Sequence, residues 1–436
     1  MTDETSAAGG EYARLTRRGV LALAGASAIA GCSSIESVSG GGEATIDAYN
    51  LPDVQRDEER ESPIPPSVPV DIAASHFDAA RERVRSLLAT LPTPLGPEEI
   101  PNGHIRQHLT DAASDASDGL DDARTARTGL MALRSLRSAR ENARYAAAGW
   151  GFVDRDLTAA PLRDEHNRTV SAAHETRQEH DYVGTDPVRA ALVHARIETG
   201  LERASDMDVV PREESELLSV AEWGETAESA QAYLSDTRHV QAQFAASLPA
   251  DAGTIRPTLT DAAEALLADI RDRQADLPPE TTADDRTPGM MVFEELRWEA
   301  ESGIGRLTDA VGPASAVIDA NSRLARFRAL DRVQKRREAD ELARPSDGTT
   351  VRDIRQTAYD ALTAALESSS QPELVRTVLV DAGHKVMAAD RGLTHHQGEI
   401  AASTLDRSIA DYWHATALAR SASATTEQTV SGLQSN

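Results

Sequence analysis

Apolar residues recur at steps of three and four positions through most of the chain from residue 71 onward. The first such run predicts an amphipathic helix over residues 71–91 that ends at Pro92. The second run extends from Ile105 to Leu133 and predicts one much longer helix that Gly119 and Gly129 bend. No stretch alternates convincingly between apolar and polar residues, so no β-strand is predicted.

Proline, glycine and capping residues mark the starts and ends of the later helices. These signals stand at Asp186-Pro187, Pro211, Gly312-Pro313, Ser346-Asp347-Gly348 and Gln371-Pro372. The apolar positions are mostly Ala and Leu with few aromatics, a composition that lets helices approach closely, as in a bundle. The predicted fold class is therefore all-α, as one elongated multi-helix bundle or as two successive bundles.

Two stretches 150 residues apart resemble each other. Leu-Thr-Asp-Ala-Ala occurs at residues 109–113 and again at residues 259–263, each time after a Leu-Pro pair. If a duplication produced this similarity, residues 71–123 and 231–273 should hold equivalent helix pairs, with each Leu buried and each Asp exposed. The alternative is coincidence in a chain rich in Ala and Asp.

The first 31 residues carry a different kind of pattern. Arg17 and Arg18 precede a weakly apolar run, residues 19–30, that is too short to span a bilayer. The run ends in Ile29-Ala30-Gly31-Cys32. This arrangement resembles a twin-arginine lipoprotein signal with its lipobox. The resemblance implies export, cleavage before Cys32, lipidation of Cys32, and anchoring to the outer face of the cytoplasmic membrane.

The remaining chain divides into four predicted segments. Residues 32–70 are rich in Ser and Gly and then in Pro, which predicts a flexible tether. Residues 71–210 and 211–430 are predicted to form the first and second helical bundle regions, and residues 431–436 a disordered tail. Because Cys32 is the only cysteine, intrachain disulfides and sites built on several cysteines are excluded.

The charge balance points to a salt-rich environment. The chain has 71 acidic against 45 basic residues, for a net charge of −26, and only two of the bases are lysines, Lys335 and Lys385. Such a charge repels itself in dilute buffer but is screened at molar salt, where the Debye length is about 3 Å. Together with twin-arginine export, this composition resembles the exported proteins of halophilic archaea. The alternative is an ordinary acidic bacterial lipoprotein.

Two segments carry a net positive charge, in contrast to the rest of the chain. Residues 124–144 hold six arginines against one acid, and residues 323–337 hold six arginines and one lysine against one acid. In the first segment Arg134, Arg137, Arg140 and Arg144 recur at helical spacing and form a ridge. The favoured interpretation is that these ridges face acidic helices of the same chain. The alternative is a docking surface for an acidic partner.

Three aspartates stand three residues before a histidine, the spacing that di-iron bundles use to direct two ligands inward. Two of these pairs lie near the C-terminus and, with nearby residues, offer a candidate metal site formed by Asp381, His384, His396, Glu399, Asp411 and His414. Chance alone would give roughly two such pairs in this acidic chain. His396 and Glu399 also resemble the His-x-x-Glu of imelysin-like proteins, although Thr394 replaces the glycine of that motif.

No nucleophile elbow, phosphate-binding loop or dinucleotide fingerprint is present, and apart from the candidate metal no cofactor is predicted. The sequence therefore predicts a non-enzymatic binding or scaffolding role, with an unidentified protein or small molecule as partner. Catalytic residues drawn from distant helices would leave no local signal, which keeps enzymatic activity open. Nucleic acid is not an expected partner because of the negative charge. Asn167 begins a glycosylation sequon, which has meaning only outside the cell.

Overall fold

A computed structural model describes residues 44–55, 58, 61–92, 94–205, 215–280, 286–302, 304–305 and 310–434. The residues predicted to form the export signal and the lipidation site lie outside this part of the chain: Arg17, Arg18, Ile29, Ala30, Gly31 and Cys32. The described residues form one compact unit that is overwhelmingly helical. The predicted all-α fold class is confirmed.

Six helices make up the first part of this unit. They are α1 (Ala74–Leu88), α2 (Gly103–Thr125), α3 (Gly129–Arg155), α4 (Ala159–Gln178), α5 (Pro187–Ser205) and α6 (Glu216–Ala246). The long helices α3 and α6 pack along each other, α1 and α2 pack on α3, and α4 and α5 pack on α6. The first region therefore includes α6 and extends well beyond the predicted boundary at residue 210.

Six further helices make up the second part. They are α7 (Arg256–Ala275), α8 (Pro288–Glu301), α9 (Pro313–Glu338), α10 (Gly348–Glu367), α11 (Pro372–Leu393) and α12 (Asp406–Gln434). Here α9 and α12 are the central pair, and α7, α8, α10 and α11 pack around them. The prediction of a disordered tail is wrong up to residue 434, because α12 continues to that point and buries Leu433.

Helices α5 and α9 join the two regions. The buried carboxylate of Glu198 on α5 accepts hydrogen bonds from the backbone N–H groups of Ala314 (3.2 Å) and Ser315 (2.6 Å) in the first turn of α9. A carboxylate is stabilising there because the first turn of a helix exposes unpaired N–H groups. Gly312 precedes this turn, and a Cβ atom at that position would lie only 2.2 Å from the Glu198 carboxylate. The junction therefore depends on a glycine and a buried acid.

The single long helix predicted between Ile105 and Leu133 is wrong, because the chain breaks between α2 and α3. Thr128 caps α3 by accepting a hydrogen bond from the N–H of Met131 (3.2 Å). Gly119 does not interrupt α2. A Cβ atom there would lie 3.0 Å from the Cβ of Ala139, so the glycine allows α2 and α3 to approach closely.

The tether predicted over residues 32–70 is wrong for the described residues between 45 and 70, which pack on the helices. Strand β1 (Thr45–Asp47) pairs antiparallel with β4 (Glu399–Ala401) and buries Ile46. Further along, the Thr128 hydroxyl donates a hydrogen bond to the carbonyl of Pro66 (2.7 Å), and Arg189 donates one to the carbonyl of Pro69 (3.1 Å). Extended proline-rich backbone leaves its carbonyls free for such bonds. Helical donors therefore hold this segment in place.

A second small sheet joins β2 (Val183–Gly184) to β3 (Gly253–Thr254). The prediction that the chain has no strands is therefore wrong, although these strands of two or three residues are too short to show alternation in the sequence. None of the described helices combines the length and the apolar character that a membrane-spanning helix needs.

The repeated Leu-Thr-Asp-Ala-Ala sequence does not mark equivalent helix pairs. Leu109 and Leu259 are both buried, and the following aspartates are both exposed, as any amphipathic helix would place them. The packing partners differ, however. Helices α1 and α2 both pack on α3, whereas α6 packs on α3, α4 and α5 while α7 packs on α9 and α12. The similarity is therefore compositional.

Most of the first arginine ridge pairs with acidic residues of the same chain, as the favoured interpretation predicted. Arg137 pairs with Asp236 (2.7 Å), Arg140 with Glu228 (2.7 Å) and Arg144 with Glu165 (3.1 Å). Arg134 is exposed. These pairs hold α3 against α4 and α6.

Candidate ligand-binding site

A cluster of charged side chains lies where α8, α11 and α12 meet, and we name it the His414 cluster. Its members are Glu295, Glu299, Lys385, Arg407, Asp411 and His414. The glutamates are four residues apart on α8, and Asp411 and His414 are three residues apart on α12, so each pair shares one helix face. Because α8 and α11 both pack on α12, the three helix faces converge.

Lys385 is the central cation of the His414 cluster. Its ammonium lies 2.5 Å from Glu295, 3.5 Å from Glu299 and 4.0 Å from Asp411. A compact ammonium can approach three carboxylates from different helices, whereas the planar guanidinium of arginine favours paired, two-pronged contacts. This geometry explains why one of the chain's two lysines stands here.

His414 is fully buried at the inner end of the cluster. Its Nε2 atom lies 3.3 Å from Glu299 and its Nδ1 atom 3.8 Å from Glu295, yet neither nitrogen makes a hydrogen bond within the described residues. Burial alone would lower the pKa of His414, but the two carboxylates outweigh it and raise that pKa. The surroundings therefore favour the imidazolium form.

The pKa values of the two glutamates are shifted in the opposite direction from that of His414. Burial would raise the pKa of Glu299, but His414, Lys385 and Arg326 outweigh it and lower that pKa to about 2. His414 and Lys385 likewise lower the pKa of Glu295 against the effect of burial. Asp411 differs, since burial dominates there and raises its pKa. Both glutamates are thus held as carboxylates.

A cavity of about 650 Å³ opens beside this cluster, between α8, α9 and α11. We name it the Trp298 cavity. Its walls include an indole, three carboxylates and two guanidinium groups, from Trp298, Glu299, Asp319, Asp381, Arg323 and Arg326. Arg326 connects the cavity to the cluster, because it donates hydrogen bonds to both Glu299 (3.2 Å) and Asp381 (2.5 Å).

Trp298 is the unusual member of this wall. Its exposed fraction is 66%, against 5% for Trp413. It is one of only three large hydrophobic side chains with substantial exposure among the described residues. An indole at the mouth of a polar cavity offers a flat apolar face together with an N–H donor, which suits it for contact with a ligand.

A smaller cavity of about 180 Å³ adjoins the first, and we name it the Arg196 cavity. Helix α5, helix α9 and the docked segment at Ser67 and Val68 line it, together with Thr377 of α11. Ile318, Asp319 and Thr377 belong to the walls of both cavities. The two cavities therefore share a wall at the junction between the two helical regions.

The six residues of the predicted metal site do not come together. Asp411 and His414 lie in the His414 cluster, and Asp381 lies at its edge through Arg326. His384 is exposed on α11, His396 lies in the turn after α11, and Glu399 is exposed on β4 opposite Asp47. The proposed six-residue site is wrong because helical spacing places each Asp/His pair on one face of its own helix but does not specify which faces of different helices meet.

The central residues that sequence reasoning missed are Glu295, Glu299 and Lys385. Two signals pointed to them. The glutamates stand four residues apart beside the apolar stripe of α8, and Lys385 is one of only two lysines in the chain. Neither signal indicates which helices meet, so the cluster is visible only in the fold.

Asn167 is exposed in the middle of α4, and the hydroxyl of Thr169 is buried against the backbone of Glu165 (3.1 Å). Glycosylation of Asn167 stays a prediction.

Two family models match the chain in succession. Residues 75–251 match a family described as domain of unknown function DUF8262, and residues 256–431 match one described as domain of unknown function DUF8264. The boundary between these matches falls between α6 and α7, where the structure also divides into its two regions. No curated protein and no solved structure matches the chain. Residues from both matched segments line the Arg196 cavity.

Proposed function

We propose that the protein is a non-enzymatic binding protein that holds a small polar ligand in the Trp298 cavity. The exposed Trp298 at the mouth of a charged cavity is the observation that carries the proposal. Ligand sites are typically concave, contain a few converging polar groups and occur where domains meet. The Trp298 cavity has the first two properties, and the adjoining Arg196 cavity lies where the two matched segments meet.

The wall of the cavity is preorganised. Arg326 is fixed by Glu299 and Asp381, and Glu299 is fixed in turn by Lys385 and His414. Side chains that are already ordered lose little further entropy when a ligand binds. The His414 cluster thus acts as a rigid support for the binding surface.

The hydroxyl groups of the wall support binding over catalysis. Ser302, Ser322 and Thr377 supply them, and in the described structure none hydrogen-bonds to a histidine. A nucleophilic hydroxyl needs an adjacent base for activation. The cavity therefore offers contacts for a ligand without an activated nucleophile.

Ligand binding is tested with Trp298→Ala. A thermal-shift screen of the purified chain in molar KCl would use sugars, amines, carboxylates and amino acids. At least one class should raise the Tm of the wild-type protein, and Trp298→Ala should abolish that rise. Tyr49→Ala, which removes an aromatic side chain that is 89% exposed and does not line the cavity, is the control. The proposal is wrong if no class raises the Tm, or if Trp298→Ala still responds.

The same proposal places the protein outside the cell. Its support is the signal-like sequence with Arg17, Arg18 and the tetrad that ends at Cys32. Cys32→Ala should release the protein from membranes or stop its processing. A mutant protein that stays membrane-bound with unchanged electrophoretic mobility would contradict lipidation.

We also propose a halophilic origin, which rests on the net charge of −26. Helical circular dichroism should decline cooperatively from molar KCl to dilute buffer, because the repulsion between surface carboxylates is no longer screened there. A signal that stays constant over this range would contradict the proposal.

A divalent metal ion in the His414 cluster is a second candidate function. Glu295, Glu299 and His414 offer ligand atoms that lie within 4.8 Å of one another, and both nitrogens of the buried His414 lack a hydrogen bond. Histidine and carboxylates are typical ligands of zinc and iron. Lys385 opposes the metal, because its ammonium is 2.5 Å from Glu295 and would have to move.

Metal analysis of the purified chain tests this second candidate. Bound metal in molar proportion to the protein, lost in His414→Gln and kept in His384→Gln, would establish it. His384 is the matched control because it is exposed outside the cluster. A metal-free protein that takes up neither zinc nor iron on titration would contradict this second candidate.

A further inference from the structure

The Arg196 cavity contains a guanidinium group that has no hydrogen-bonding partner inside the described structure. Arg196 lies on α5 and is largely buried, and no described oxygen atom accepts a hydrogen bond from it. The nearest acid that influences it is Asp236, which already bonds to Arg137 (2.7 Å) and His76 (2.8 Å). A buried cation without hydrogen bonds is costly. An anionic group in the cavity would relieve this cost.

Burial and the neighbouring guanidinium of Arg137 lower the pKa of Arg196 to about 10. The direction of this shift agrees with the geometry, since both effects penalise the charged form. The surrounding protein therefore leaves the charge of Arg196 incompletely compensated.

Asp319 presents the opposite charge in the wall that the two cavities share. Within the described residues it makes no hydrogen bond and no ion pair closer than 4.0 Å. The neighbouring arginines bond elsewhere: Arg326 to Glu299 and Asp381, and Arg323 to the backbone of Glu299. An uncommitted guanidinium and an uncommitted carboxylate therefore line the same cavity of about 180 Å³.

We infer that this junction binds a free amino acid, whose carboxylate bonds to Arg196 and whose ammonium group bonds to Asp319. The inference rests on the proposed function and adds the class of the ligand. A volume of about 180 Å³ is several times what one water molecule needs, which leaves room for a charged head group. The shared wall then directs the side chain of the amino acid into the Trp298 cavity.

The site requires both the carboxylate and the ammonium group of the ligand. The planar fork of arginine can donate two parallel hydrogen bonds to a carboxylate, and a carboxylate is a natural partner for an ammonium group. A ligand that carries only one of these charges leaves either the largely buried Arg196 or the exposed Asp319 without a charged partner. The missing ion pair weakens the binding of such a ligand.

Calorimetric titration of the purified chain in molar KCl tests this recognition. The probes are the twenty L-amino acids, each compared with its decarboxylated amine and its deaminated carboxylate. At least one amino acid should bind about tenfold or more tightly than both of its analogues. Arg196→Gln should weaken that binding about tenfold or more. Arg203→Gln, an exposed arginine on the same helix, is the matched control and should leave it unchanged.

Asp319→Asn tests recognition of the ammonium group separately from recognition of the carboxylate. It should weaken binding of the amino acid while leaving binding of the deaminated carboxylate unchanged. A variant with a disrupted fold would weaken both equally.

The Tm of the ligand-free protein gives a second test of the role of Arg196. Because Arg196 lacks a partner, Arg196→Met should raise the Tm of the ligand-free protein by about 1–3 °C, whereas replacing a structural ion-pair residue would lower it. A lowered Tm would mean that Arg196 serves the fold.

The possible failures are distinguishable. If no amino acid binds more tightly than its analogues, or if Arg196→Gln leaves binding unchanged, the inference is wrong. If a neutral or singly charged molecule nevertheless binds in a manner that depends on Trp298, the proposed function stands and only the ligand class fails. If no molecule binds in that manner, both fail.

Discussion

The two helical regions each bury a group of charged residues, and the two groups differ in completeness. In the first region Glu228 is fully buried and accepts hydrogen bonds from Arg83 (2.6 Å) and Arg140 (2.7 Å). In the second region His414 and Lys385 meet three carboxylates, but both nitrogens of His414 and one oxygen each of Glu295 and Asp411 have no hydrogen bond.

This difference separates a structural role from a functional one. The oxygens of Glu228 face two arginines that surround them on both sides, and none of these three residues lines either cavity. The His414 cluster is incompletely bonded and reaches the Trp298 cavity through Glu299. Buried polar networks stabilise a fold when they are fully satisfied and mark places that require explanation when they are not. We therefore place stability in the first group and ligand support in the second.

The largest expected effect on stability comes from disrupting the fully hydrogen-bonded group around Glu228. Glu228→Gln leaves Arg83 and Arg140 without their shared carboxylate and should lower the free energy of unfolding by about 3–5 kcal/mol. Denaturant titration in molar KCl measures this change. Glu216→Gln, an exposed acid in the first turn of the same helix, is the control and should cost about 1 kcal/mol or less. Equal effects of the two substitutions would contradict a structural role for Glu228.

The chain's two lysines allow a matched test of the incomplete group. Lys385→Met removes the ammonium from three carboxylates and should lower the free energy of unfolding by about 2–4 kcal/mol. Lys335 is exposed on α9, so Lys335→Met should change it by no more than about 0.5 kcal/mol. Because the substitution is the same, the difference between the two variants reports on the surroundings of each lysine. If both variants unfold at the same denaturant concentration, Lys385 is not the central cation of the cluster.

These two groups also show what the sequence could and could not predict. Helical periodicity identified the helices, and the spacing of Arg137, Arg140 and Arg144 indicated their acidic partners within the chain, because both are properties of one helix face. The His414 cluster needs three helices to meet, and no local spacing specifies that meeting. Docking of the described residues between 45 and 70 was missed for the same reason, since β1 finds its partner β4 about 350 residues later in the chain.

The pH dependence of stability offers a milder test of the incomplete group. The folded pKa of Glu299 is about 2 and its ordinary value is 4.5, so its contribution is present above pH 4.5 and is lost as the pH falls toward 2. The folded pKa of His414 is raised, so its contribution is present below its ordinary value of 6.5 and is lost as the pH rises through the folded pKa. The Glu299 contribution is at most about 3 kcal/mol.

Comparison of wild type with His414→Gln isolates this dependence. Unfolding free energies measured from pH 2 to pH 9 at constant salt should fall less steeply at both ends in the variant, because His414 is one cause of the lowered pKa of Glu299. Glu228 retains its lowered pKa in both proteins and cancels in the comparison. Curves of identical shape would show that His414 and Glu299 do not titrate together.

The smallest expected effect on stability belongs to Trp298, the residue on which the proposed function depends. Because the exposed fraction of Trp298 is 66%, Trp298→Ala should lower the free energy of unfolding by no more than about 1 kcal/mol. Trp413→Ala is the matched substitution at a position with 5% exposure, and it should cost about 3–5 kcal/mol by leaving a cavity in the core. Denaturant titration of the two variants measures the contrast. A Trp298→Ala protein that is as destabilised as Trp413→Ala would show that the indole packs into the fold, and it would remove the main reason for placing a ligand beside it.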